Sequence, residues 1–303
     1  MMKVIFMGTP DYASRILETL IAQPDVEVVA VYTQPDKPVG RKKVLTPPPV
    51  KTVALAAGIP VYQPQRLRDE TTAAELRAIA CDYIVVAAYG QILPKTVLDH
   101  APCINLHASL LPQYRGASPI QQSLLNGDKE TGVTAMLMEE GLDTGPILAI
   151  ERIAIGDDEM VESLFERLTD LASKMTPEVL RTFSSLVQEP QNDDEASLCK
   201  KITKADGEVQ FDDAQMLYNK YRAFTPWPGV YLAGGLKLLT MQLAETENAH
   251  APGRILATEK TRVLIGCEKG ALWIETVQPP SKKPVCAVDY LNGKRLGLDD
   301  TLA

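Results

Sequence analysis

Residues 3–32, KVIFMGTPDYASRILETLIAQPDVEVVAVY, read as strand, helix, strand. Lys3 to Met7 is a short apolar run, and Gly8-Thr9-Pro10 turns the chain into a helix beginning near Asp11. Ile16, Leu17, Leu20 and Ile21 recur at helical spacing and make its buried stripe. Val26 to Tyr32 then completes a β-α-β unit, the building block of doubly wound sheets. The dinucleotide fingerprint G-x-G-x-x-G is absent, since Pro10 stands where the second glycine belongs, and this argues against a nicotinamide enzyme. Further along, a helix is predicted over 50–57 with Gly58 closing it, a brief strand at Val61-Tyr62, and a helix over 70–80. Tyr83 to Ala88 is continuously apolar, as in a strand covered on both faces. The fold class predicted is therefore α/β, with a Rossmann-like, mostly parallel sheet.

The next stretch outward, Cys103 to Leu148, reads CINLHASLLPQYRGASPIQQSLLNGDKETGVTAMLMEEGLDTGPIL. Cys103 to His107 is a strand in which Asn105 and His107 are two residues apart, so their side chains share a face, while Ile104 and Leu106 fill the other. The loop Ser109 to Gly116 is punctuated by Pro112 and Gly116, yet is too apolar for an ordinary solvated turn. A helix is predicted over 117–125, and a strand from Gly132 to Met138 that leads to Gly141-Leu142-Asp143-Thr144-Gly145-Pro146. If the two strands are neighbours, Asn105, His107 and Asp143 converge at one sheet edge. Such a trio suits acyl transfer without a covalent enzyme intermediate. Asn105 can donate to an oxyanion, His107 can manage a proton near neutrality, and Asp143 can orient His107 or relay protons through water. Taken singly, a strand Asn or His is most often a structural polar group, and an Asp in a Gly-Pro loop a turn former.

The run Asn105-x-His107-x-Ser109-Leu110-Leu111-Pro112, with Tyr114-Arg115-Gly116, Thr131-Gly132-Val133-Thr134 and Asp143-Thr144-Gly145-Pro146-Ile147, resembles the formyltransferase family that uses 10-formyltetrahydrofolate. Within it, the chain is most similar to members that formylate methionine on initiator tRNA, over Lys3 to about Leu296. The resemblance implies that Asn105, His107 and Asp143 are catalytic. It also implies that Ser109, Leu110, Leu111 and Pro112 line the folate site, bordered by Tyr89, Gly90, Ile92 and Leu93. Gln91 departs from the apolar residue expected there. The co-substrate implied is 10-formyltetrahydrofolate, with no metal, and the partner implied is methionyl initiator tRNA. A formyltransferase on another amine (a purine precursor or an amino sugar) and a 10-formyltetrahydrofolate hydrolase remain open alternatives.

Gln34 to Pro49 holds five prolines and reads as a long irregular loop, with Arg41, Lys42 and Lys43 adjacent at its tip. The resemblance implies that this loop reaches the tRNA acceptor stem, with Arg41 as leading contact. Ile147 to Ile155 is a predicted strand. Met160 to Val187 is helical in pattern, with a kink or a restart capped by Thr176 expected at Pro177. Residues 1–189 are taken as the catalytic domain and 190–206 as a linker. From 207 to 303, short runs spaced by Gly and Pro suggest a small β-barrel. They are Glu208–Phe211, Val230–Leu232, Leu236–Leu239, Arg254–Leu256, Arg262–Cys267 and Ala271–Val277, interrupted by a helix over 213–222. By resemblance this module is OB-like and holds tRNA, and Lys204 falls in the linker of the relatives. The default expectation for Trp227, in Pro226-Trp227-Pro228, is core packing.

The bulk properties agree with a two-domain globular enzyme. Of 303 residues, 45% are hydrophobic and 23% charged. No apolar run is long enough for a membrane helix, and the five scattered cysteines form no C-x-x-C pair, so a cytoplasmic monomer without disulfides or metal is expected. A net charge of −8 argues at first against a nucleic-acid partner. The charge is uneven, however: residues 1–189 carry 17 Lys/Arg against 24 Asp/Glu, and residues 190–303 carry 14 against 15.

Overall fold

The computed structural model describes residues 1–40 and 42–302. These form two compact units. The first comprises residues 1–119, 130–154 and 164–199, the second residues 120–129, 155–163 and 200–303.

In chain order the strands of the first unit are β1 (Met2–Gly8), β2 (Val26–Tyr32), β3 (Lys37–Val39), β4 (Val44–Thr46), β5 (Val61–Tyr62), β6 (Tyr83–Ala87), β7 (Cys103–His107), β8 (Arg115–Gly116), β9 (Glu130–Leu137), β10 (Ile147–Ala154) and β11 (Leu198–Cys199). Helices α1 (Asp11–Ile21), α2 (Pro49–Ala56), α3 (Glu70–Arg77), α4 (Lys95–Leu98) and most of α6 (Val161–Thr182) belong to this unit, whereas α5 (Pro119–Asn126), between β8 and β9, falls almost wholly in the second. The main sheet has the order β10-β9-β7-β6-β1-β2-β5. β1, β2, β5, β6 and β7 run parallel, while β9 is antiparallel to both β7 and β10. This is the mixed, mostly parallel Rossmann-like sheet that the apolar runs predicted.

Alternation along the strands divides the core. Ile5, Met7, Ala30, Tyr32, Ile84, Val86 and Cys103 form one buried cluster with Ala73 and Leu76 of α3 and Val97 of α4. Val4, Phe6, Val85, Ala87, Ile104 and Leu106, of opposite parity, are buried as well. On that side Ile16, Leu17 and Leu20 of α1 are buried, and the Tyr12 hydroxyl donates to the Leu106 carbonyl at 3.2 Å. The strand order reverses at β1, so a crevice opens at the carboxyl ends of β1 and β6, where open α/β sheets take ligands.

Two expectations are corrected in this unit, and one element was not anticipated. First, the proline-rich stretch 34–49 is not irregular throughout: Lys37–Val39 (β3) pairs antiparallel with Val44–Thr46 (β4), Pro38 facing Leu45. Among the described residues neither strand has a partner on its outer edge, where a missing N–H costs no ladder bond. Asp36 ties the base of the hairpin by accepting from Lys51 Nζ (2.9 Å) and Gln63 Nε2 (2.7 Å). These bonds, Gln63 foremost, hold the Asp36 carboxyl below the usual range. Second, α6 runs through Pro177 unbroken to Thr182 and ends in a 3₁₀ turn, Phe183–Ser185. Thr176 does not restart the helix; its hydroxyl bonds back to the Ala172 carbonyl at 2.7 Å, and buried Leu164, Leu168, Ala172, Val179 and Leu180 hold both sides of the proline in register. The element not anticipated is α4, since a four-residue helix completes barely one turn and leaves no clear sequence signal.

The second unit contains β12 (Val230–Tyr231), β13 (Lys237–Glu245), β14 (Ile255–Thr258), β15 (Val263–Gly266), β16 (Ala271–Gln278) and β17 (Val285–Cys286), with helices α7 (Ala214–Phe224) and α8 (Ala287–Lys294). The antiparallel order is β12-β13-β16-β15-β14, and β17 also pairs with β16. Asp213 caps α7 through the Met216 N–H. Residues 120–129 and 155–163 belong here because α7 grips them. Asn219 Nδ2 donates to the Leu125 carbonyl, Tyr218 to Asp158, and Arg222 to the carbonyls of Gly156 and Glu159.

Glu208–Phe211 is not a strand. Val209 bonds to Tyr231 while the Phe211 carbonyl accepts from Glu268, so the segment stitches two places rather than following one ladder. Trp227 is 60% exposed, against the expectation of core packing. The flanking prolines set the backbone there, and burial was inferred from residue type alone.

Candidate active site

β7 carries the first two groups. Its register with β9 sets Asn105 opposite Met136 and His107 opposite Thr134, the neighbouring pair that convergence required. The loop after β9 brings in Asp143, and all three side chains meet. Asn105 Nδ2 donates to Asp143 Oδ1 at 3.3 Å, and His107 Nδ1 faces Asp143 Oδ2 at 3.7 Å. His107 Nε2 lies 2.9 Å from the Tyr114 carbonyl. A carbonyl only accepts, so Nε2 carries a proton and Nδ1 is the nitrogen presented to the carboxylate. Asn105 and His107 are 9% and 6% exposed, which holds a polar cluster at the end of an apolar strand.

Asp143 is fixed on several sides. Its backbone is left-handed at φ +54°, a region that Asp tolerates better than most residues. Gly116 donates its N–H to Oδ2 at 2.8 Å, and Gln191 Nε2 donates to the Asp143 carbonyl at 2.8 Å. Gly116 itself, at φ +121°, packs so closely on the Cys199 carbonyl that a Cβ would overlap it. Gly145 approaches the Leu137 carbonyl more closely still. Burial pushes the Cys199 thiol up; the Ser118 N–H pulls it down and the Asp143 charge adds to the rise. The thiol donates to the Tyr114 carbonyl at 3.3 Å.

The residues expected around a folate divide into two groups. Gly90 and Ile92 are exposed beyond β6, Ile92 by 83%, and Leu110 and Pro112 are partly exposed. Ser109, Leu111, Tyr89 and Leu93 are buried and shape the loops from beneath. The Ser109 hydroxyl donates to the Gln113 carbonyl at 2.7 Å. Thr134 Oγ1 clamps the same turn, accepting from the Leu111 N–H (3.1 Å) and donating to the Ser109 carbonyl (2.7 Å). The Tyr89 carbonyl accepts from Thr9 Oγ1 (3.0 Å) and Gln34 Nε2 (3.2 Å), joining the turns after β1, β2 and β6. Gln91 accepts from the Leu67 N–H and donates to the Pro64 carbonyl, so its amide braces a neighbouring loop.

Of the expected tRNA contacts, Arg41 lies outside the described residues. Lys42 and Lys43 are exposed between β3 and β4, where Val39, Val44 and Leu45 are exposed too. In the second unit, exposed Lys204 opens the 3₁₀ turn Lys204–Gly207, which Thr203 and Asp206 close as a capping box. Sequence reasoning missed Thr134, Arg115 and Gln191 as supports of the site. Thr134 and Arg115 stood in recognisable motifs without a visible role, and Gln191 sat in a polar run that carried no signal.

A family model described as formyl transferase matches residues 2–180, and one described as formyl transferase, C-terminal domain, matches residues 201–295. The chain is 61% identical over 302 residues to the methionyl-tRNA formyltransferase of Sulfurimonas denitrificans, covering 100% of both chains. It is 56% identical over 302 residues to that of Nitratiruptor sp., covering 99% of each. Among solved structures, the N-formyltransferase from Helicobacter canadensis in complex with folinic acid and dTDP-3-aminofucose matches with a TM-score of 0.69 at 18% identity, over 92% of this chain and 100% of that one. That likeness bears on the fold alone. By its match over both regions and along its whole length, the chain belongs to the formyl transferase family.

Proposed function

We propose that this chain transfers the formyl group of 10-formyltetrahydrofolate to the α-amine of methionyl initiator tRNA by direct attack of the amine. The observation that carries the chemistry is the meeting of Asn105 and His107 on Asp143 at the carboxyl end of β7. The tRNA substrate is supported by 61% and 56% identity, over the whole chain, to relatives named methionyl-tRNA formyltransferase. The folate supplies the formyl group. Asn105 Nδ2 and the His107 imidazole stabilise the oxyanion that develops at the formyl carbonyl. Asp143 fixes His107 and carries the amine's proton toward the departing N10. The exposed Ile92 offers apolar surface to a pterin. Gly90, where even a Cβ would find nothing closer than Gln34 at 3.7 Å, leaves its backbone open to one. Arg41, Lys42 and Lys43 contact the acceptor stem, and residues 207–303, with Lys204 ahead of them, hold the tRNA as a second domain.

The test is an acceptor comparison with 10-formyltetrahydrofolate as donor. Purified protein formylates charged initiator tRNA at a kcat/KM at least about a hundredfold above that for a nucleotide amino sugar or a purine-precursor amine. Formate release without acceptor stays negligible. Preference for a small amine would transfer the reading to the sugar or purine enzymes, and formate release alone would make the chain a hydrolase.

A further inference from the structure

The chain after α6 closes over the loop that carries Asp143, and Gln191 lies at the point of closure. Its Nε2 donates to two carbonyls of that loop, Asp143 at 2.8 Å and Gly145 at 2.7 Å. Its Oε1 accepts from Nε and Nη2 of Arg115, at 3.0 and 2.9 Å. One amide thus spends both donors and its acceptor on the site. Arg115 is itself 6% exposed and anchored: Nη2 also meets Asp193 at 2.8 Å, and its N–H donates to the Ser197 carbonyl at 2.9 Å. The parallel pairing of β8 with β11, Arg115 against Leu198 and Gly116 against Cys199, fixes the register of this segment. Gly116, next to Arg115, is the residue that donates to the Asp143 carboxylate.

Asp143 needs such support. A left-handed backbone at a residue other than glycine persists only where its surroundings determine it, and the two carbonyls that Gln191 engages bracket Thr144 just beyond it. We infer that Gln191, braced by Arg115, is a positioning residue for formyl transfer: it pins the Asp143–Gly145 backbone so that the carboxylate faces Asn105 and His107. This rests on the catalytic reading of Asp143. The segment between the two family-matched regions is then part of the catalytic apparatus rather than a tether.

The experiment compares Gln191→Glu, Gln191→Ala, Asp143→Asn and the double variant Gln191→Glu/Asp143→Asn. Gln191→Glu keeps an acceptor for Arg115 but sets a carboxylate oxygen against the Asp143 and Gly145 carbonyls in place of the two donated bonds; Gln191→Ala removes the bonds without that repulsion. Both lower kcat for methionyl-tRNA by about ten- to a hundredfold, as small misplacements of a catalytic group do. KM for tRNA and for folate stays within about threefold of the parent, because ground-state binding is untouched. The pH profile of kcat changes with the His107–Asp143 geometry, which a purely structural role would leave in place. The double variant is no slower than Asp143→Asn by more than about twofold, since the two act through one group. Parental kcat in both Gln191 variants beside a slow Asp143→Asn overturns this inference alone. Additive losses in the double variant overturn it as well. A parental rate in Asp143→Asn overturns the catalytic reading of Asp143, and this inference with it.

Discussion

At the scale of single residues, the site depends on one carboxylate that accepts from several directions. Asp143→Asn keeps the volume but sets an amide NH₂ or a weaker acceptor against Asn105 Nδ2, the Gly116 N–H and His107 Nδ1. The expected outcome is a kcat lower by at least about a hundredfold with KM for both substrates little changed, and a pH profile of kcat that differs from the parent's. Steady-state kinetics across the neutral range checks it; a variant matching the parent in rate and profile would remove Asp143 from the mechanism. Asn105→Ala removes a donor aimed at the same place and loses about two to three orders of magnitude in kcat. Gly145→Ala separates structure from chemistry, because the new Cβ would overlap the Leu137 carbonyl and force the loop outward. Urea unfolding should show a loss of about 1–3 kcal/mol, together with a fall in kcat as Asp143 moves. An unchanged stability would mean that the loop yields without cost.

At the scale of elements, what was legible in the sequence was whatever burial dictates. β2 and β7 match their predicted limits because continuous or alternating apolar residues leave no freedom in a two-sided sheet. The same alternation placed Asn105 and His107 on one face, and the contacts with Asp143 follow from it. The hairpin β3–β4 was not legible, because prolines suppress the strand pattern and its stability comes from Asp36, Lys51 and Gln63, groups whose partners lie elsewhere in the chain. Gln191 and Thr134 were hidden for the same reason: their bonds reach 46 and 25 residues along the chain. One long-range tie also gives a pH prediction. Arg181 on α6 donates twice to Asp25, at 2.7 Å each, and this bond holds the Asp25 carboxyl below its usual range. A depressed carboxylate contributes stability above the ordinary carboxylate pKa and loses it as pH falls through the lowered one. Asp25→Asn should therefore melt slightly below the parent at pH 7, and the gap should close in acid as pH falls through the lowered Asp25 pKa. The pair is exposed, so the difference is small; a variant that melts below the parent equally at pH 7 and in acid would assign the effect to packing instead.

At the scale of the whole molecule, the proposed function asks a protein of net charge −8 to hold a polyanion. On the proposed reading, attraction then comes from local clusters working against a repulsive mean field. Lys42 and Lys43 on the hairpin are exposed, and so are Lys200, Lys201 and Lys204 in the second unit. Each phosphate that a lysine neutralises releases counterions, so the affinity for tRNA falls as salt rises, with a slope set by the number of contacts. The mean-field repulsion acts in the opposite sense, since salt screens it over about 8–10 Å. The measured slope is then shallower than the lysine count alone implies. Lys42→Ala should weaken tRNA binding and reduce the magnitude of the slope of log K against log salt by about one, whichever tRNA is offered, while KM for 10-formyltetrahydrofolate stays at the parental value. The experiment is a titration of charged tRNA between about 50 and 200 mM salt for parent and variant, with folate kinetics alongside. A variant slope equal to the parent's would exclude Lys42 from the phosphate contacts. A parental affinity that does not respond to salt would point to exposed apolar side chains, Val39, Val44 and Leu45 in the first unit or Trp227 in the second, rather than to the lysines.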